Sequence, residues 1–385
     1  MVIAGIICEY NPLHLGHKKQ IHRIRRHLGE SAAIVCLMSG NYVQRGAPAI
    51  IDKSLRAKAA ILCGADLVLE LPVTYALSSA EGFAAGGVEI LGSFCDYLCF
   101  GSETGDTEVL TATAKALLSD AFPPLLRAEL DKGTSFPVAR QAALMKMGLE
   151  NHVLSRPNDI LAVEYCKAIL AQGTPMQPLP MIREGSYHAE AADMENPSAT
   201  AVRSLMISGH DWKSYVPEAA AEVFAGADLH SMGAGERAVL AKLRTMTDRE
   251  FASLPYGSEG LWRKLMHASR EQVTVEQILT ATKSKRYTRT RLDRMLMCAV
   301  LGITRDMLES PAPYARVLAF NDVGRTVLKQ AKQAFPIFNA GEAVDDPYWE
   351  LEKRCDDLYG LFCENGIEPP GQEGRRRVYY KKEQP

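Results

Sequence analysis

The sequence has 385 residues, of which 47% are hydrophobic and 23% are charged, and its formal net charge at pH 7 is −2. This length and composition are ordinary for a folded protein with room for two domains, and they exclude a chain that is mainly disordered. The near-neutral charge excludes a protein that binds nucleic acid over its whole surface, so any RNA contact is expected at local basic segments.

The nine cysteines are scattered and form no Cys-x-x-Cys pair, and the closest two, Cys95 and Cys99, have no second pair nearby. Buried, reduced thiols are the simplest interpretation, and no metal site is predicted. The N-terminus lacks the features of a signal peptide, and no apolar run approaches the length of about 18 residues that a membrane span needs. The sequence therefore predicts a cytoplasmic protein with no membrane partner.

A strand, a turn and a helix are predicted at the start of the chain. The apolar run from Val2 to Cys8 indicates a buried parallel strand, and Asn11-Pro12 ends it. Apolar residues then recur at helical spacing from Ile21 to Leu28, among basic residues, which indicates an amphipathic helix that ends near Gly29.

His14, Gly16 and His17 lie between this strand and this helix. At a helix N-terminus, free backbone N–H groups and the helix dipole favour a phosphate group, and glycine allows it to approach the backbone closely. The pattern His-x-Gly-His resembles the signature of the nucleotidyltransferase superfamily, in which the two histidines stabilise charge on the phosphates of ATP. Taken alone, the motif is equally compatible with a surface pair of histidines or with half of a metal site.

Short strands and helices alternate as far as Phe100. Strands are predicted at Ala32–Met38, Asp66–Leu71 and Tyr97–Phe100, and helices at Lys53–Cys63 and Ser79–Leu91. This order indicates an α/β fold with a Rossmann-like parallel sheet, whose ligand lies beyond the carboxyl ends of the strands. The segments expected to meet in one cleft at that edge are Glu9–His17, Ser39–Ala47, the residues from Pro72 onward, and Gly101–Glu103.

A helical insertion is predicted at about residues 106–150, followed by a helix that starts near Asn158 and a strand from Met176 to Ile182. Asn158 is a residue type common at N-caps, which is its simplest interpretation from the pattern alone. The strand would deliver Arg183 to the edge of the cleft.

Two hydroxyl groups and a guanidinium occur at the start of a later helix, from Ser198, Thr200 and Arg203. Such groups suit the β and γ phosphates of a nucleotide, so these three residues are candidate phosphate ligands. A solvent-exposed helix position is the alternative for Arg203.

The alternation of strands and helices is expected to end near Met206, which divides the chain into domains at 1–205 and 206–385, the second mainly helical. Within the second domain, residues 283–294 hold six basic residues and one acidic residue, and residues 375–382 have a similar composition. Basic groups bind phosphates and tyrosine stacks on unpaired bases, so both segments are candidate RNA contacts, with a solvated helix face as the alternative. The candidate ligands in the first segment are Lys283, Lys285, Arg286, Tyr287, Arg289 and Arg291.

Six segments, in order along the chain, together resemble one family, the bacterial tRNA(Met) cytidine acetate ligases. They are EYNPLHLGH at 9–17, MSGNYVQRGAP at 38–48, DLVLELP at 66–72, FGSE at 100–103, RPNDIL at 156–161 and KRYTRTRL at 285–292. Leu13 and Leu15 replace the family's commoner phenylalanine and asparagine, a departure that affects only the packing of the pocket.

The resemblance implies a fold of the HxGH nucleotidyltransferase type, with ATP and acetate as substrates, Mg²⁺ as the counter-ion of ATP, and acetyl-adenylate as the intermediate. It implies elongator tRNA(Met) as the partner, whose wobble cytidine receives an acetyl group on N4. His14 and His17 are the implied catalytic residues. The implied ATP site consists of Ile7, Cys8, Glu9, Tyr10, Asn11, Pro12, Leu13, His14, Leu15, Gly16, His17, Lys18, Lys19, Gln20, Gly101, Asn158 and Arg183.

Two other functions are compatible with these residues. An adenylyltransferase that leaves AMP on a small metabolite would use the same N-terminal fold, but it gives the basic segments no role. A non-catalytic, nucleotide-responsive RNA-binding protein would use the histidine site only as a sensor, and the intact histidines disfavour it. The sequence identifies no general base and no oligomeric state.

Overall fold

The computed structural model describes residues 1–149, 153–182, 197–284 and 286–382. Its strands are β1 (Ile3–Cys8), β2 (Ala33–Ser39), β3 (Tyr42–Val43), β4 (Ala47–Pro48), β5 (Leu67–Leu71), β6 (Tyr97–Ser102), β7 (Gln177–Ile182), β8 (Ala315–Asn321), β9 (Ile337–Asn339) and β10 (Tyr379–Lys381).

The helices of the first half are α1 (Leu15–Leu28), α2 (Lys53–Leu62), α3 (Val73–Ala76), α4 (Ala80–Leu91), α5 (Thr107–Leu118), α6 (Phe122–Leu130), α7 (Phe136–Lys146), α8 (Pro157–Gln172) and α9 (Ala199–Ile207). Those of the second half are α10 (Glu218–Phe224), α11 (Glu236–Thr245), α12 (Asp248–Ala252), α13 (Leu261–Glu271), α14 (Val275–Thr282), α15 (Arg289–Leu301), α16 (Arg305–Glu309), α17 (Asp322–Ala334) and α18 (Pro347–Tyr359).

The main sheet has the strand order β10-β8-β5-β2-β1-β6-β7, and β9 also pairs with β8. The five strands from β5 to β7 in this order are mutually parallel, whereas β8 runs antiparallel to β5. The predicted α/β class and the central parallel sheet are confirmed. The carboxyl ends of β1, β2 and β6 meet at one edge, where a ligand is expected.

Both faces of the sheet are buried, as the apolar strand sequences predict. Alternate residues of β2 point to opposite faces, so that Val35 and Leu37 pack in one core with α4 and α8. Ile34 and Cys36 pack in a second core with α1 and α2.

The predicted strands and helices of the N-terminal region are confirmed to within a few residues. Gly29 ends α1 and Gly64 follows α2, both with positive φ, a backbone conformation that glycine adopts at low cost. Ser79 caps α4, and the predicted insertion contains α5, α6 and α7. Asn158 is not an N-cap as its residue type suggests, because α8 begins at Pro157 and its N-cap is Arg156.

The expected end of the strand–helix alternation near Met206 is wrong. β8, α17 and β9 form a further strand–helix–strand unit in the second half, and β10 pairs with β8 close to the end of the chain. Of these strands β8 pairs with β5, so the main sheet includes residues from both sides of position 206. They are short or far from the other strands in sequence, which is why local periodicity does not reveal their partners.

A third apolar core lies among helices of the second half, chiefly α11, α13, α14, α15 and α18. Tyr42, from the loop after β2, belongs to this core and donates a hydrogen bond from its hydroxyl group to the carbonyl of Cys355 in α18 (2.9 Å). The helical part is therefore fixed to the loop edge of the sheet. Within the ranges the structure describes, no helix is both long and apolar enough to cross a membrane.

A network of buried charges joins the end of the chain to the start of α2, where Asp52 is the N-cap. Arg376 binds Asp52 (2.7 Å), Asp356 and Glu373, and Glu373 also binds Lys53 (2.8 Å). Such buried pairs require that every partner be present, because a lone buried charge is strongly destabilising. The C-terminal segment is therefore part of the fold around the site.

Replacing Gly324 with alanine is expected to destabilise the fold by about 1–3 kcal/mol. Gly324 lies in the first turn of α17, and an added Cβ would collide with the backbone of Asp66 at the start of β5. Thermal and denaturant unfolding measure the effect. Gly374→Ala is the control, because nothing lies within 4 Å of an added Cβ there. Equal stability of the two variants would contradict the close packing of α17 on the sheet.

Candidate active site

The turn between β1 and α1 is held in one conformation by its own polar groups. His14 is the N-cap of α1, and its Nδ1 accepts a hydrogen bond from the backbone N–H of Gly16 (3.2 Å). In return, the Nδ1 of His17 accepts from the backbone N–H of His14 (3.2 Å). The two imidazole rings stack with their centroids 3.7 Å apart. This is a capping box in which histidines replace the usual serine and glutamate.

The capping box also fixes the tautomer of each histidine. Because both Nδ1 atoms accept hydrogen bonds, the proton of each neutral ring lies on Nε2. Each imidazole can therefore donate from Nε2 at the helix N-terminus, where the backbone already favours an anion.

A buried guanidinium, that of Arg56, fixes the backbone around this turn. It donates hydrogen bonds to the carbonyl oxygens of Glu9 (2.6 Å), Ser39 (3.1 Å) and Ile51 (2.8 Å), and also to that of Gly40. Arg56 is fully buried, and burial lowers its pKa, but a guanidinium remains protonated in proteins. The loops that follow β1 and β2 are thus joined through one side chain.

A cavity of about 350 Å³ opens at this edge of the sheet. Most of the predicted ATP ligands line it: Ile7, Cys8, Glu9, Tyr10, Asn11, His14, Gly16, His17, Lys19, Gln20, Gly101 and Asn158. The structure does not place Pro12, Leu13, Leu15 or Lys18 in its lining, and Leu13 is buried in the second core. Arg183 lies outside the described residues.

The cavity suits a polyanion. Lys19, Arg23, Arg45 and Arg203 contribute cations, whereas Glu9 is the only carboxylate among the described residues that line it. Burial raises the pKa of the Cys8 thiol well above its usual value.

Two carboxylates position Asn158 beside Gly101. Glu103 accepts hydrogen bonds from the side chain of Asn158 (2.7 Å) and from the backbone N–H of Asp159 (2.8 Å). Asp159, which is fully buried, accepts in turn from the backbone N–H of Glu103 (3.0 Å). This reciprocal pairing joins the end of β6 to the start of α8 and places Asn158 at the wall of the cavity.

All three candidate phosphate ligands line the cavity. Ser198 caps α9, and Arg203 donates from Nη1 to the carbonyl oxygen of Asn11 (2.7 Å) and from Nη2 to the hydroxyl of Thr200 (3.1 Å). The alternative of a solvated helix position for Arg203 is therefore wrong, since its guanidinium is bound to the turn before α1.

Several lining residues are not among the predicted ATP ligands. Val43, Gln44, Arg45 and Ala47 belong to the segment Ser39–Ala47, which reaches the cleft as the sequence predicts. Arg23 continues the face of α1 that carries Gly16, Lys19 and Gln20, so helical periodicity would have found it. The other residues are mostly apolar and come from distant segments: Ile6, Pro48, Phe83, Phe100, Leu161, Tyr165, Met181, Ile182, Pro197 and Ala199.

The start of the segment from Pro72 onward does not join this cleft, contrary to expectation, although Phe83 of α4 does. Pro72 and Val73 line a separate, smaller cavity together with Lys53 and Glu70. Burial raises the pKa of Glu70 to about 7, although Lys53 lowers it. Asp356 of the buried charge network also lines this second cavity.

The basic segment at 283–294 lies at the start of α15, and much of its charge has acidic neighbours. Arg286 and Tyr287 both bind Glu259 (2.8 Å each), and Arg289 binds Glu276 (2.6 Å). Arg291 donates to the carbonyl oxygen of Tyr256 (2.9 Å), Lys283 is exposed, and Lys285 lies outside the described residues.

The second basic segment is largely structural. Arg376 is bound within the buried charge network, and Tyr379–Lys381 forms β10 of the main sheet. Arg376 is therefore not an RNA contact, contrary to the interpretation of this segment from its composition.

The β3–β4 hairpin connects the cavity to the first basic segment. Gln44 and Arg45 line the cavity, and the backbone N–H of Gln44 donates to Glu9 (2.9 Å). Gly46 has φ +77°, and an added Cβ would collide with the backbone of α15 at Arg294. The helix that carries the basic segment thus packs directly on the rim of the cavity.

A family model described as HIGH Nucleotidyl Transferase matches residues 1–373. A curated relative from Acetivibrio thermocellus, named tRNA(Met) cytidine acetate ligase, is 35% identical over 98% of this chain and 99% of its own length. One of the same name from Clostridium novyi is 37% identical over 88% and 90%. The chain belongs to the tRNA(Met) cytidine acetate ligase family of HIGH nucleotidyltransferases.

Two crystal structures of a family member, Thermotoga maritima TmcAL, have the same fold. Both are 28% identical to this chain, and each match covers 100% of this chain and 100% of the crystallised one. The TM-score is 0.91 for the apo form and 0.88 for the form bound with alpha-thio ATP. The predicted family and the predicted HxGH nucleotidyltransferase fold are confirmed.

Replacing Gly101 with valine is expected to weaken ATP binding at least about tenfold, which corresponds to about 1.4 kcal/mol. An added Cβ at Gly101 has no atom within 4 Å, so the new side chain would occupy the cavity without straining β6. Calorimetric titration with ATP measures the affinity, and thermal unfolding tests for an intact fold. Gly374→Val serves as a control away from the cavity. Unchanged ATP affinity in Gly101→Val would show that the nucleotide does not approach this strand.

Proposed function

We propose that this protein is an ATP-dependent ligase that forms acetyl-adenylate and transfers the acetyl group to N4 of the wobble cytidine of elongator tRNA(Met). AMP and diphosphate are the other products. The observation that carries the proposal is the reciprocal cap of His14 and His17 in a cavity with an excess of cations, within a chain of this family. A tRNA substrate also supports the cytoplasm as its location.

In the first step, a carboxylate oxygen of acetate attacks the α-phosphorus of ATP and diphosphate leaves. This step needs no nucleophile from the protein. His14 and His17 donate from Nε2 to phosphate oxygens as negative charge builds up, and the helix N-terminus adds its backbone N–H groups. Arg203, Ser198 and Thr200 line the same cavity, and in this proposal they bind the departing phosphates.

Mg²⁺ would accompany ATP as its counter-ion. Among the described residues that line the cavity, Glu9 is the only carboxylate, and it already accepts a hydrogen bond from Gln44. This donor set does not form a protein cage for the ion, but it fits an ion held mainly by the phosphates and water.

In the second step, the cytosine amine attacks the acetyl carbonyl and AMP leaves. The amine is a weak nucleophile because its lone pair is delocalised into the ring, so the rate depends on how the base is positioned against the anhydride. We assign adenylation to residues 1–205 and tRNA binding to the helices within 206–385. The contact of Gly46 with α15 supports this division of roles, because it places the basic segment at the rim of the cavity.

The alternatives are less well supported. An adenylyltransferase acting on a small metabolite does not require a basic helix packed on the rim of its site. A non-catalytic nucleotide sensor does not require two imidazoles held in one tautomer at a helix N-terminus.

The deciding experiment incubates the purified protein with ATP, labelled acetate and elongator tRNA(Met), digests the RNA, and looks for N4-acetylcytidine. A tRNA with uridine at the wobble position is the control, since it lacks the amino group. Unlabelled RNA from a folded protein that binds ATP would exclude the ligase. AMP found on a small metabolite instead would favour the adenylyltransferase.

The variants His14→Ala and His17→Ala are expected to lower acetate-dependent ATP–pyrophosphate exchange by about 100-fold or more, because each removes a donor to the phosphates. Both should bind tRNA as the wild type does. His14→Asn separates the chemical role from the structural one, since asparagine also caps helices well. His22→Ala, on an exposed position of the same helix, should be fully active. Wild-type exchange in both alanine variants would refute the assigned roles.

Replacing Lys283 and Arg286 together with alanine is expected to weaken tRNA binding and to reduce its salt dependence. The slope of the logarithm of the binding constant against the logarithm of the salt concentration should become shallower by about one for each phosphate that is no longer bound. Acetate-dependent ATP–pyrophosphate exchange should be unchanged. Filter binding at several salt concentrations measures the effect. The control is Lys332→Ala, an exposed lysine on α17. If the control and the double variant bind tRNA equally, the basic segment does not contact tRNA.

A further inference from the structure

A cluster of three potential metal ligands lies outside the nucleotide cavity. His230, Cys363 and Glu368 each offer one ligand atom, and the three atoms lie within 4.8 Å of one another. His230 and Cys363 are buried, whereas Glu368 is partly exposed. None of the three lines the nucleotide cavity.

The backbone holds the first two ligands in a fixed register. His230 and Cys363 are opposite each other in an isolated antiparallel bridge. The flanking hydrogen bonds run from the N–H of Ser231 to the carbonyl of Phe362 (2.9 Å) and from the N–H of Glu364 to that of Leu229 (2.8 Å). The third ligand is brought close by a hydrogen bond from the N–H of Glu368 to the carbonyl oxygen of Gly360 (3.2 Å).

Neither ring nitrogen of the buried His230 imidazole makes a hydrogen bond of good geometry with a described residue, although backbone groups of Ile50 and Asp228 lie close enough to act on the ring. Its Nε2 approaches a carboxylate oxygen of Glu368 at 3.2 Å, but not in the geometry of a hydrogen bond. The ring also stacks on Tyr359, with the centroids 3.9 Å apart, which fixes its plane. Buried polar groups nearly always have a partner, so this imidazole points to a ligand.

We propose that His230, Cys363 and Glu368 bind a Zn²⁺ ion, with water as the fourth ligand. An imidazole nitrogen, a thiolate and a carboxylate oxygen are the ligand types that zinc takes in tetrahedral sites. At zinc bond lengths the ligand atoms are about 3.5 Å apart, so three atoms that lie within 4.8 Å of one another need to move by only about 1 Å to enclose the ion. Binding releases the thiol proton of Cys363 to solvent and involves no change of oxidation state.

The ion would stabilise the loop that leads away from the nucleotide cavity. The backbone N–H of His230 donates to the carbonyl oxygen of Ile50 (3.0 Å). The hydroxyl group of Tyr359 donates to the carbonyl oxygen of Ala49 (2.8 Å). Both acceptors directly follow β4, whose two residues line the cavity. The ion would therefore fix the C-terminal segment against this loop, without taking part in the reaction.

The test uses the full-length protein, purified without a polyhistidine tag and stripped with a chelator, then titrated with Zn²⁺ alone and with Co²⁺ alone. About one Zn²⁺ per chain is expected, with a rise in melting temperature that the chelator reverses. Co²⁺ should give the thiolate-to-cobalt charge-transfer absorption that reports a cysteine ligand.

Cys363→Ser should abolish that absorption and weaken Zn²⁺ binding at least about tenfold, and His230→Gln and Glu368→Gln should also weaken binding. Cys355→Ser is the matched control, a buried cysteine nearby that is not in the cluster, and it should bind both metals normally. Glu368→Gln, at a partly exposed position, keeps the test valid if the buried variants misfold. The proposal is overturned if the wild type binds no Zn²⁺, or if Cys363→Ser and Glu368→Gln bind it as well as the control does.

Discussion

A buried guanidinium, that of Arg56, holds together the backbone segments that follow β1, β2 and β4. Four carbonyl oxygens accept its hydrogen bonds. Removal of this side chain would leave buried acceptors unpaired at the edge of the sheet where the cavity opens, at a cost of about 1–3 kcal/mol for each. Because Glu9 belongs to this set, the position of the turn before α1 depends on a residue that never reaches the cavity.

The histidine pair combines a structural role with a chemical one. Each imidazole uses Nδ1 to cap the helix, and this leaves Nε2 with the proton that a phosphate oxygen can accept. The rings are ordered before any nucleotide arrives, so little conformational entropy is lost when it binds. The opposite wall is ordered in the same way, since Glu103 and Asp159 fix each other's backbone and thereby position Asn158.

The sequence predicted those parts of the molecule that depend on neighbouring residues. Strands β1, β2, β5, β6 and β7, the main helices between them and the turn before α1 all follow from local periodicity and turn chemistry. It did not predict the short β3–β4 hairpin, which it placed in a loop. It did not predict β8 and β10 in the sheet either, because their pairing connects residues far apart along the chain. Arg376 was misassigned for a related reason: a basic run gives no sign that one of its members is buried against distant carboxylates. The apolar wall at Phe83 and Phe100 resembles ordinary core in sequence, and only the fold brings it to the cavity.

The buried charge network has a consequence for how the protein folds. Asp52 and Arg376, which bind each other beside the site, are 324 positions apart in the chain. Contacts of such long range are formed late, because the entropy of closing the intervening loop must be lost first. During synthesis the N-terminal strands emerge from the ribosome long before Arg376 does. The N-terminus of α2 therefore acquires this counter-charge only when translation is nearly complete, and a nascent chain cut short before that point would leave Asp52 and Asp356 without the guanidinium that binds them both.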